Sequence, residues 1–261
     1  MARQRRIPVR SFGTNPPLPD APDLVGWIEK RRGREGDLIS YLLDESLRFQ
    51  AGVDRPCAGG LFYGDRVESA IIGLVDGVLA EEPALRPVDI VMDARDAVAL
   101  RKGCWVALPA PSLLGVGDRY FEDPGECTAA LCDVYRRMMR EMRDAGVGGH
   151  VLHCTRPDET ELEELARPRA RFFSHDPDPE TVTALLEFQD ELVISPDHLS
   201  DALMWADEFD IRTLTILDAA SADLQRAVVD FDPGMIAAGG FCTADCEEYW
   251  TALVEDAVVT L

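Results

Sequence analysis

The chain has almost no lysine and little basic charge of any kind. Only two lysines, Lys30 and Lys102, occur among its 26 basic residues, against 48 acidic residues and a formal net charge of −22. No basic patch is therefore expected that would replace the counterions of a phosphate backbone, which argues against nucleic acid and an anionic membrane as partners. An acidic composition this poor in lysine is typical of an archaeal or halophile-like protein, or of a GC-rich genome.

Long apolar runs are also absent from the sequence. It has no stretch of about 18 apolar residues of the kind that spans a membrane. The opening MARQRRIPVR carries basic residues with no apolar segment behind them, unlike a secretion signal. Seven cysteines, an odd number, indicate reduced thiols rather than a disulfide framework. We therefore expect a soluble, cytoplasmic protein.

Short apolar runs alternate with helical patterns from residue 88 onward, which is typical of βα units and a parallel sheet. With 261 residues and 46% hydrophobic composition, the chain is long enough for one large core. We predict a single α/β domain over residues 1–261, a TIM-like (β/α)8 barrel in which residues 1–50 form an N-terminal segment and the first βα unit. The strand candidates are 88–93, 105–108, 150–154, 171–175, 191–195, 213–218 and 235–239, with weaker ones at 7–12 and 52–57.

The clearest helix signal lies before the strand candidate at 150–154. Asp123 is a natural N-cap, Pro124 suits the first helical position, and Gly146 supplies a stop. This spacing predicts a long crossover helix packed on a sheet, and further helices are predicted at 179–188, 199–209 and 244–259. The acidic run at 159–164 predicts a solvated helix face. The apolar positions of the long helix that recur at helical spacing are Cys127, Leu131, Val134, Tyr135, Met138 and Met142.

Polar residues collect at the predicted carboxyl ends of the strands. In a (β/α)8 barrel these ends meet at one mouth, where the chemistry of such enzymes takes place. All four histidines of the chain lie within or near these strand ends. The ends read His153-Cys154, Ser174-His175-Asp176, Ser195-Pro196-Asp197-His198, Asp218 and Gly239-Gly240-Phe241-Cys242.

The first candidate site is a zinc site made of His153, Cys154, Cys242 and Cys246. Imidazole nitrogen and thiolate sulfur are ligands that zinc takes in tetrahedral geometry. Cys246 is predicted in a first helical turn, where backbone N–H groups favour a thiolate. Adjacent strand residues face opposite ways, so either a loop turns both His153 and Cys154 inward, or only one of them, or His150, takes part. The alternative interpretation is two core thiols and a buried, hydrogen-bonded histidine.

A second candidate group consists of His175 and Asp176, with His198 and Asp218. Imidazoles and carboxylates around a pocket act as general acid and base or as metal ligands. The alternative interpretation is that Asp176, Asp178 and Asp197 cap the helices that follow.

The glycine pair Gly239 and Gly240 follows the last predicted strand and precedes a helix. Barrels often bind phosphate at such a position, so these two residues are candidate cofactor-binding residues. The alternative interpretation is that the two glycines form a simple tight turn.

Five segments carry a resemblance to known proteins: 9–20, 47–65, 135–147, 151–154 and 237–242. They resemble parts of the superfamily of cobalamin-independent methionine synthase and the uroporphyrinogen-decarboxylase-like corrinoid:thiol methyltransferases. The first is similar to the Gly-Ser-Phe-Pro opening of the synthase barrel, the second to a Gly-Val-Asp segment, and the third to the helix before the central strand. The fourth resembles the His-x-Cys strand end that binds zinc, and the fifth resembles the late strand that supplies another zinc cysteine.

The resemblance implies a TIM barrel whose zinc ion binds a small-molecule thiol substrate and lowers the pKa of that thiol for attack on a methyl group. It implies a corrinoid or folate-type methyl carrier as co-substrate, and a corrinoid protein as a partner. The ligands it implies are Cys154 and Cys242 with His153 or His175, while Asp218 and His198 orient the substrate.

Two departures from the family pattern keep other functions open. The spacer between His153 and Cys154 is missing, and the expected Asp-Glu-Pro strand is absent. By strand order, HVLHC occupies the position of the Asp-Glu-Pro strand. Ser174-His175-Asp176 then falls at the position of the His-x-Cys strand end. Both departures favour a catalytically silent barrel that acts as a binding or regulatory subunit. A third hypothesis is a metal-dependent hydrolase in which the metal activates water and is bound by His153, His175, His198 and Asp218.

Overall fold

The computed structural model describes residues 3–31 and 36–261, which contain thirteen β-strands and ten α-helices. The strands are β1 (Gln4–Arg6), β2 (Val9–Thr14), β3 (Cys57–Gly59), β4 (Ile71–Val75), β5 (Val78–Leu85), β6 (Trp105–Pro109), β7 (Gly117–Asp118), β8 (Gly149–His153), β9 (Ala170–Phe173), β10 (Glu191–Ile194), β11 (Thr213–Leu217), β12 (Ile236–Cys242) and β13 (Val258–Thr260). The helices are α1 (Ala21–Lys30), α2 (Leu38–Arg48), α3 (Gly64–Ala70), α4 (Val88–Leu100), α5 (Pro124–Asp144), α6 (Glu159–Leu165), α7 (Pro179–Leu186), α8 (Ala202–Glu208), α9 (Ser221–Asp230) and α10 (Cys246–Asp256).

Eight parallel strands form two four-stranded sheets. The strand order is β10-β11-β12-β2 in the first sheet and β3-β6-β8-β9 in the second. The sheets meet at a backbone bridge between Arg10 and Arg55. At the other junction, within the described part of the chain, no ladder joins β9 to β10, and the Gln189 amide instead hydrogen-bonds the backbone N–H and carbonyl of Phe172. The predicted α/β fold is confirmed, whereas the sheets are not closed into the predicted barrel.

Three hydrophobic clusters follow from this arrangement. The outer cluster of the second sheet packs its strands against α4 and α5, and the outer cluster of the first sheet packs its strands against α8 to α10. The inner cluster draws side chains from strands of both sheets and therefore lies between them. Because strand side chains alternate, Val151 of β8 joins the inner cluster and Leu152 joins the outer one. The inner cluster comprises Phe12, Cys57, Ala107, Val151, Phe173, Leu217 and Phe241.

The long helix α5 matches its prediction. The Asp123 carboxylate accepts hydrogen bonds from the backbone N–H groups of Gly125 and Glu126, which satisfies two otherwise unpaired donors of the first turn. The six predicted apolar positions are all buried in the outer cluster of the second sheet. The capping residue and the 3.6-residue period together therefore specify both the start and the buried face of this helix.

Residues 88–93 form the first half of α4, so the predicted strand there is wrong. The buried positions of α4 are Ile90, Asp93, Ala94 and Ala97, which recur at helical spacing. Periodicity alone does not separate a short apolar run in a strand from one in a helix. The antiparallel hairpin of β4 and β5 and the antiparallel pair of β1 and β13 were not predicted. Among the described residues, no helix has the length and apolar character to cross a membrane.

Candidate functional site

His153 closes strand β8 and faces the space between the two sheets. Its Nε2 lies 2.7 Å from the carbonyl oxygen of Phe12, and its ring packs 4.6 Å from the ring of Phe241 and 5.2 Å from that of Phe173. Burial lowers the pKa of His153 to about 4, so the ring is neutral near pH 7. A carbonyl only accepts, so Nε2 carries the proton of the neutral ring and Nδ1 holds its lone pair.

Cys154 faces the opposite side of the strand from His153. Its thiol lies in the outer cluster of the second sheet, with Sγ 3.7 Å from the carbonyl oxygen of Phe173. Burial, together with the negative charge of Glu161, raises the pKa of the Cys154 thiol to about 12. Cys154 is therefore a core thiol with little tendency to ionise, and it does not share a face with His153.

Glu161 is a buried carboxyl group in the acidic run that was predicted to be a solvated helix face. It accepts hydrogen bonds from the Ser112 backbone N–H at 2.5 Å and from the Ser112 hydroxyl at 3.0 Å. Burial raises its pKa from 4.5 to about 7, more than these two hydrogen bonds lower it. The prediction of a solvated run is wrong at this position, because α6 turns one of its glutamates toward the sheet.

The raised pKa of Glu161 makes the stability of the protein depend on pH. Between pH 4.5 and about 7 the unfolded chain has released a proton that the folded protein retains. The free energy of unfolding should therefore fall as pH rises through this window, by on the order of 2–3 kcal/mol. Urea unfolding at pH 5 and pH 8 measures the change. Glu161→Gln has no titrating proton there and should remove most of this pH slope; equal slopes for the two proteins would exclude Glu161 as its source.

The structure brings Cys242 and Cys246 together at the end of β12. Their Sγ atoms lie 2.8 Å apart, and the Cys242 thiol also lies 3.1 Å from the carbonyl oxygen of Ala244. Burial and the neighbouring Cys246 raise the pKa of Cys242 to about 12. Both thiols belong to the outer cluster of the first sheet, whereas Cys154 belongs to that of the second.

The four predicted metal ligands do not converge. Among residues 3–31 and 36–261, no group of three or more His, Cys, Asp or Glu side chains lies where it could hold a metal ion. The geometry explains why: Cys154 faces the other side of β8 from His153, and Cys242 and Cys246 contact each other in a different cluster. These residues as arranged do not fit a zinc ion, so the expected site of His153, Cys154, Cys242 and Cys246 is not formed.

The predicted catalytic residues lie at the carboxyl ends of the strands but do not form one group. His175 is exposed, and its ring centroid is 6.4 Å from that of Phe173 and 6.0 Å from that of Phe241, so it borders the same aromatic rings as His153. Asp218 is exposed and accepts a hydrogen bond from the Tyr249 hydroxyl. His198 instead pairs with Asp201, with Nδ1 3.4 Å from the carboxylate.

Gly239 and Gly240 allow two close contacts. A methyl group on Gly239 would lie 2.4 Å from Cγ2 of Thr215 and 2.9 Å from Cε2 of Phe12. A methyl group on Gly240 would lie 2.2 Å from the Tyr249 hydroxyl. The space on both sides of the pair is thus filled by side chains of the protein, which accounts for the glycines by packing.

Sequence reasoning missed a buried arginine at the amino ends of the strands. Arg10 donates through Nη1 to the carboxylate of Glu191, which also accepts a hydrogen bond of 2.7 Å from the Thr215 hydroxyl. The guanidinium carbon lies 4.7 Å from the ring centre of Phe12 and 5.0 Å from that of Trp105. The available signal was alternation, because Arg10 stands two residues from Phe12 and therefore shares its inward face.

Comparisons with known proteins give a structural likeness only. No protein-family model matches the chain, and no curated protein matches it. A B12-independent methionine synthase from Shewanella sp. W3-18-1, in complex with selenomethionine, is similar with a TM-score of 0.58 and 11% identity over 97% of this chain and 96% of that chain. A putative vitamin-B12-independent methionine synthase from Listeria monocytogenes has a TM-score of 0.64 and 12% identity over 96% of each chain. Identities this low show a shared fold.

Proposed function

We propose that this chain is a methionine-synthase-like α/β protein that binds a small molecule at the carboxyl ends of its strands without a resident zinc ion. The observation that carries the proposal is the opposite orientation of His153 and Cys154 on β8. A zinc site that activates a thiol needs at least three converging ligands, and the described residues provide no such group. A binding role, one of the hypotheses raised by the sequence, needs only the aromatic and polar side chains at the carboxyl ends of the strands.

The side chains at this end suit an amino acid with a thiol or thioether. The exposed ring of His175, next to the buried rings of Phe173 and Phe241, offers aromatic contact, which thioether sulfur favours. The exposed carboxylate of Asp218 can pair with an amino group. The solved Shewanella synthase holds selenomethionine, an amino acid of this chemistry, which supports the choice of ligand.

A methyltransferase-like enzyme is the second candidate function. It is supported by the fold likeness to synthase structures over nearly the whole length of each chain. A folate-type or corrinoid carrier would then supply the methyl group. A zinc site that activates a thiol would require side-chain positions other than those described. The same holds for a hydrolase that binds a metal through His153, His175, His198 and Asp218 to activate water.

Binding of methionine and homocysteine by calorimetry tests the proposal. We expect saturable binding of at least one of them to the wild type, with affinity unchanged by added zinc. Asp218→Asn should weaken it about tenfold, because an ionic contact to the amino group is lost. Asp210→Asn, an exposed aspartate before the same strand, is the matched control and should leave affinity unchanged. No binding of either amino acid would refute the proposal, and methyl transfer to homocysteine would establish the second candidate.

A further inference from the structure

A cleft of about 460 Å³ lies at the other end of the strands from the candidate site. It is bounded by the last half of α5, the end of α6 and the start of β9. Its base includes the buried side chains of Met139, Leu165 and Ala170. The volume is within the range of small-molecule sites in proteins.

The charged lining of this cleft has the opposite sign to the rest of the protein. Four arginines and one glutamate line it, in a chain whose net charge is −22. The charged side chains are Arg136, Arg143, Arg167, Arg169 and Glu164. Such a local excess of guanidinium groups is a favourable environment for an anion.

Only part of this positive charge is balanced by the protein. Arg136 donates to the carboxylates of Asp133 and Glu164, and Arg167 donates to the backbone carbonyls of Glu163 and Ala166 at 3.0 and 2.6 Å. In the described ranges, neither Arg143 nor Arg169 has an ion-pair partner. Two guanidinium groups therefore border the cleft with their hydrogen-bond donors free.

A buried histidine lies next to these arginines. His150 is buried behind the cleft, and its backbone N–H donates to the carbonyl of Arg169 at 2.8 Å. Burial, with the positive charge of Arg143, lowers the pKa of His150 to about 3. His150 is therefore neutral near pH 7 and adds no positive charge of its own behind the cleft.

We propose that this cleft binds a small organic dianion, a phosphate monoester or a dicarboxylate with an apolar body. Arg143 and Arg169 hold the anionic group, since guanidinium forms paired hydrogen bonds with phosphate and carboxylate oxygens. The apolar part of the ligand rests on Met139 and Leu165. This site is independent of the ligand proposed for the carboxyl ends of the strands.

Calorimetric titration with 1-naphthyl phosphate tests the site, with 1-naphthol as the uncharged control. We expect one molecule bound per chain, no binding of naphthol, and weakening by added KCl. The double variant R143Q/R169Q should lose at least tenfold in affinity, about 1.4 kcal/mol. Arg226→Gln, an exposed arginine on α9, should not change it. Glu164→Gln should tighten binding, because it removes the one carboxylate of the lining and one of the two ion-pair partners of Arg136.

Phthalate in place of naphthyl phosphate distinguishes the two ligand classes. Binding of either compound that is lost in R143Q/R169Q supports the site. The compound that binds more tightly identifies the ligand class as phosphate monoester or dicarboxylate. Binding of neither compound, or binding equally strong in the double variant, would overturn the proposal. The altered arginines lie at the surface, so unchanged thermal unfolding of the variants would exclude misfolding as the cause. Methionine binding to R143Q/R169Q should be normal, which separates failure here from failure of the proposed function.

Discussion

Glu191→Ala should lower the free energy of unfolding by about 3–5 kcal/mol, because it leaves the buried guanidinium of Arg10 without its anionic partner. Among the described residues, Nε and Nη2 of Arg10 already lack a hydrogen-bond partner, so Nη1 would become the third such nitrogen. Burial alone would raise the pKa of Glu191, but the charge of Arg10 and the hydrogen bonds from Arg10 and Thr215 outweigh it and hold the pKa below its ordinary value. The carboxylate is therefore charged at pH 7 and balances Arg10.

Urea unfolding at pH 7 measures this effect against two controls. Glu187→Ala removes an exposed glutamate at the end of α7 and should change stability by less than about 0.5 kcal/mol. The double variant R10M/E191L replaces both charges by apolar side chains beside Phe12 and Trp105 and should recover much of the loss, as buried ion pairs replaced by apolar residues often do. A loss below about 1 kcal/mol for Glu191→Ala would show that the pair is not buried as described.

Gly239→Ala should lower the free energy of unfolding by about 2–3 kcal/mol through overpacking between the sheets. The added methyl group would meet Thr215 and Phe12 at distances that no packed carbon tolerates, and both neighbours are fully buried, so neither has free space to move into. The overpacking acts where β12 lies between its neighbours β11 and β2.

Gly26→Ala is the matched control for Gly239→Ala. Gly26 lies in α1, and a methyl group there would have no neighbour within 4 Å. Because alanine favours helix over glycine by about 1 kcal/mol, this variant should be as stable as the wild type or more so. Thermal and urea unfolding measure the stability of both variants. Equal stability of Gly239→Ala and Gly26→Ala would show that β12 does not pack as described.

Local signals in the sequence predict the parts of the fold that depend on local physics. The cap at Asp123 and the apolar period of α5 determine a helix whose start and buried face the structure reproduces. Short runs such as Glu191–Ile194 and Thr213–Leu217 are recognisable as strands because apolar residues dominate a brief segment between helical patterns. Residues 88–93 cannot be assigned in this way, because their apolar residues fit both the two-residue period of a strand and the 3.6-residue period of a helix.

The candidate site depends on tertiary facts that no local pattern contains. Alternation along β8 indicates that His153 and Cys154 face opposite ways, but not which of them faces the inner cluster. Glu161 looks like one more glutamate in a solvated run until Ser112 is placed beside it. Arg10 looks like a surface arginine until Glu191, far along the chain, supplies its charge partner.

The zinc content of purified wild type, Cys154→Ser and Cys242→Ser, measured by elemental analysis after dialysis against zinc, tests most directly whether the strand ends hold a metal. Cys154 lies in one outer cluster and Cys242 in another, so no ion can use both thiols. We predict zinc far below one ion per chain in the wild type, with no further loss in Cys154→Ser. Near-stoichiometric zinc in the wild type that is lost in both variants would contradict this account.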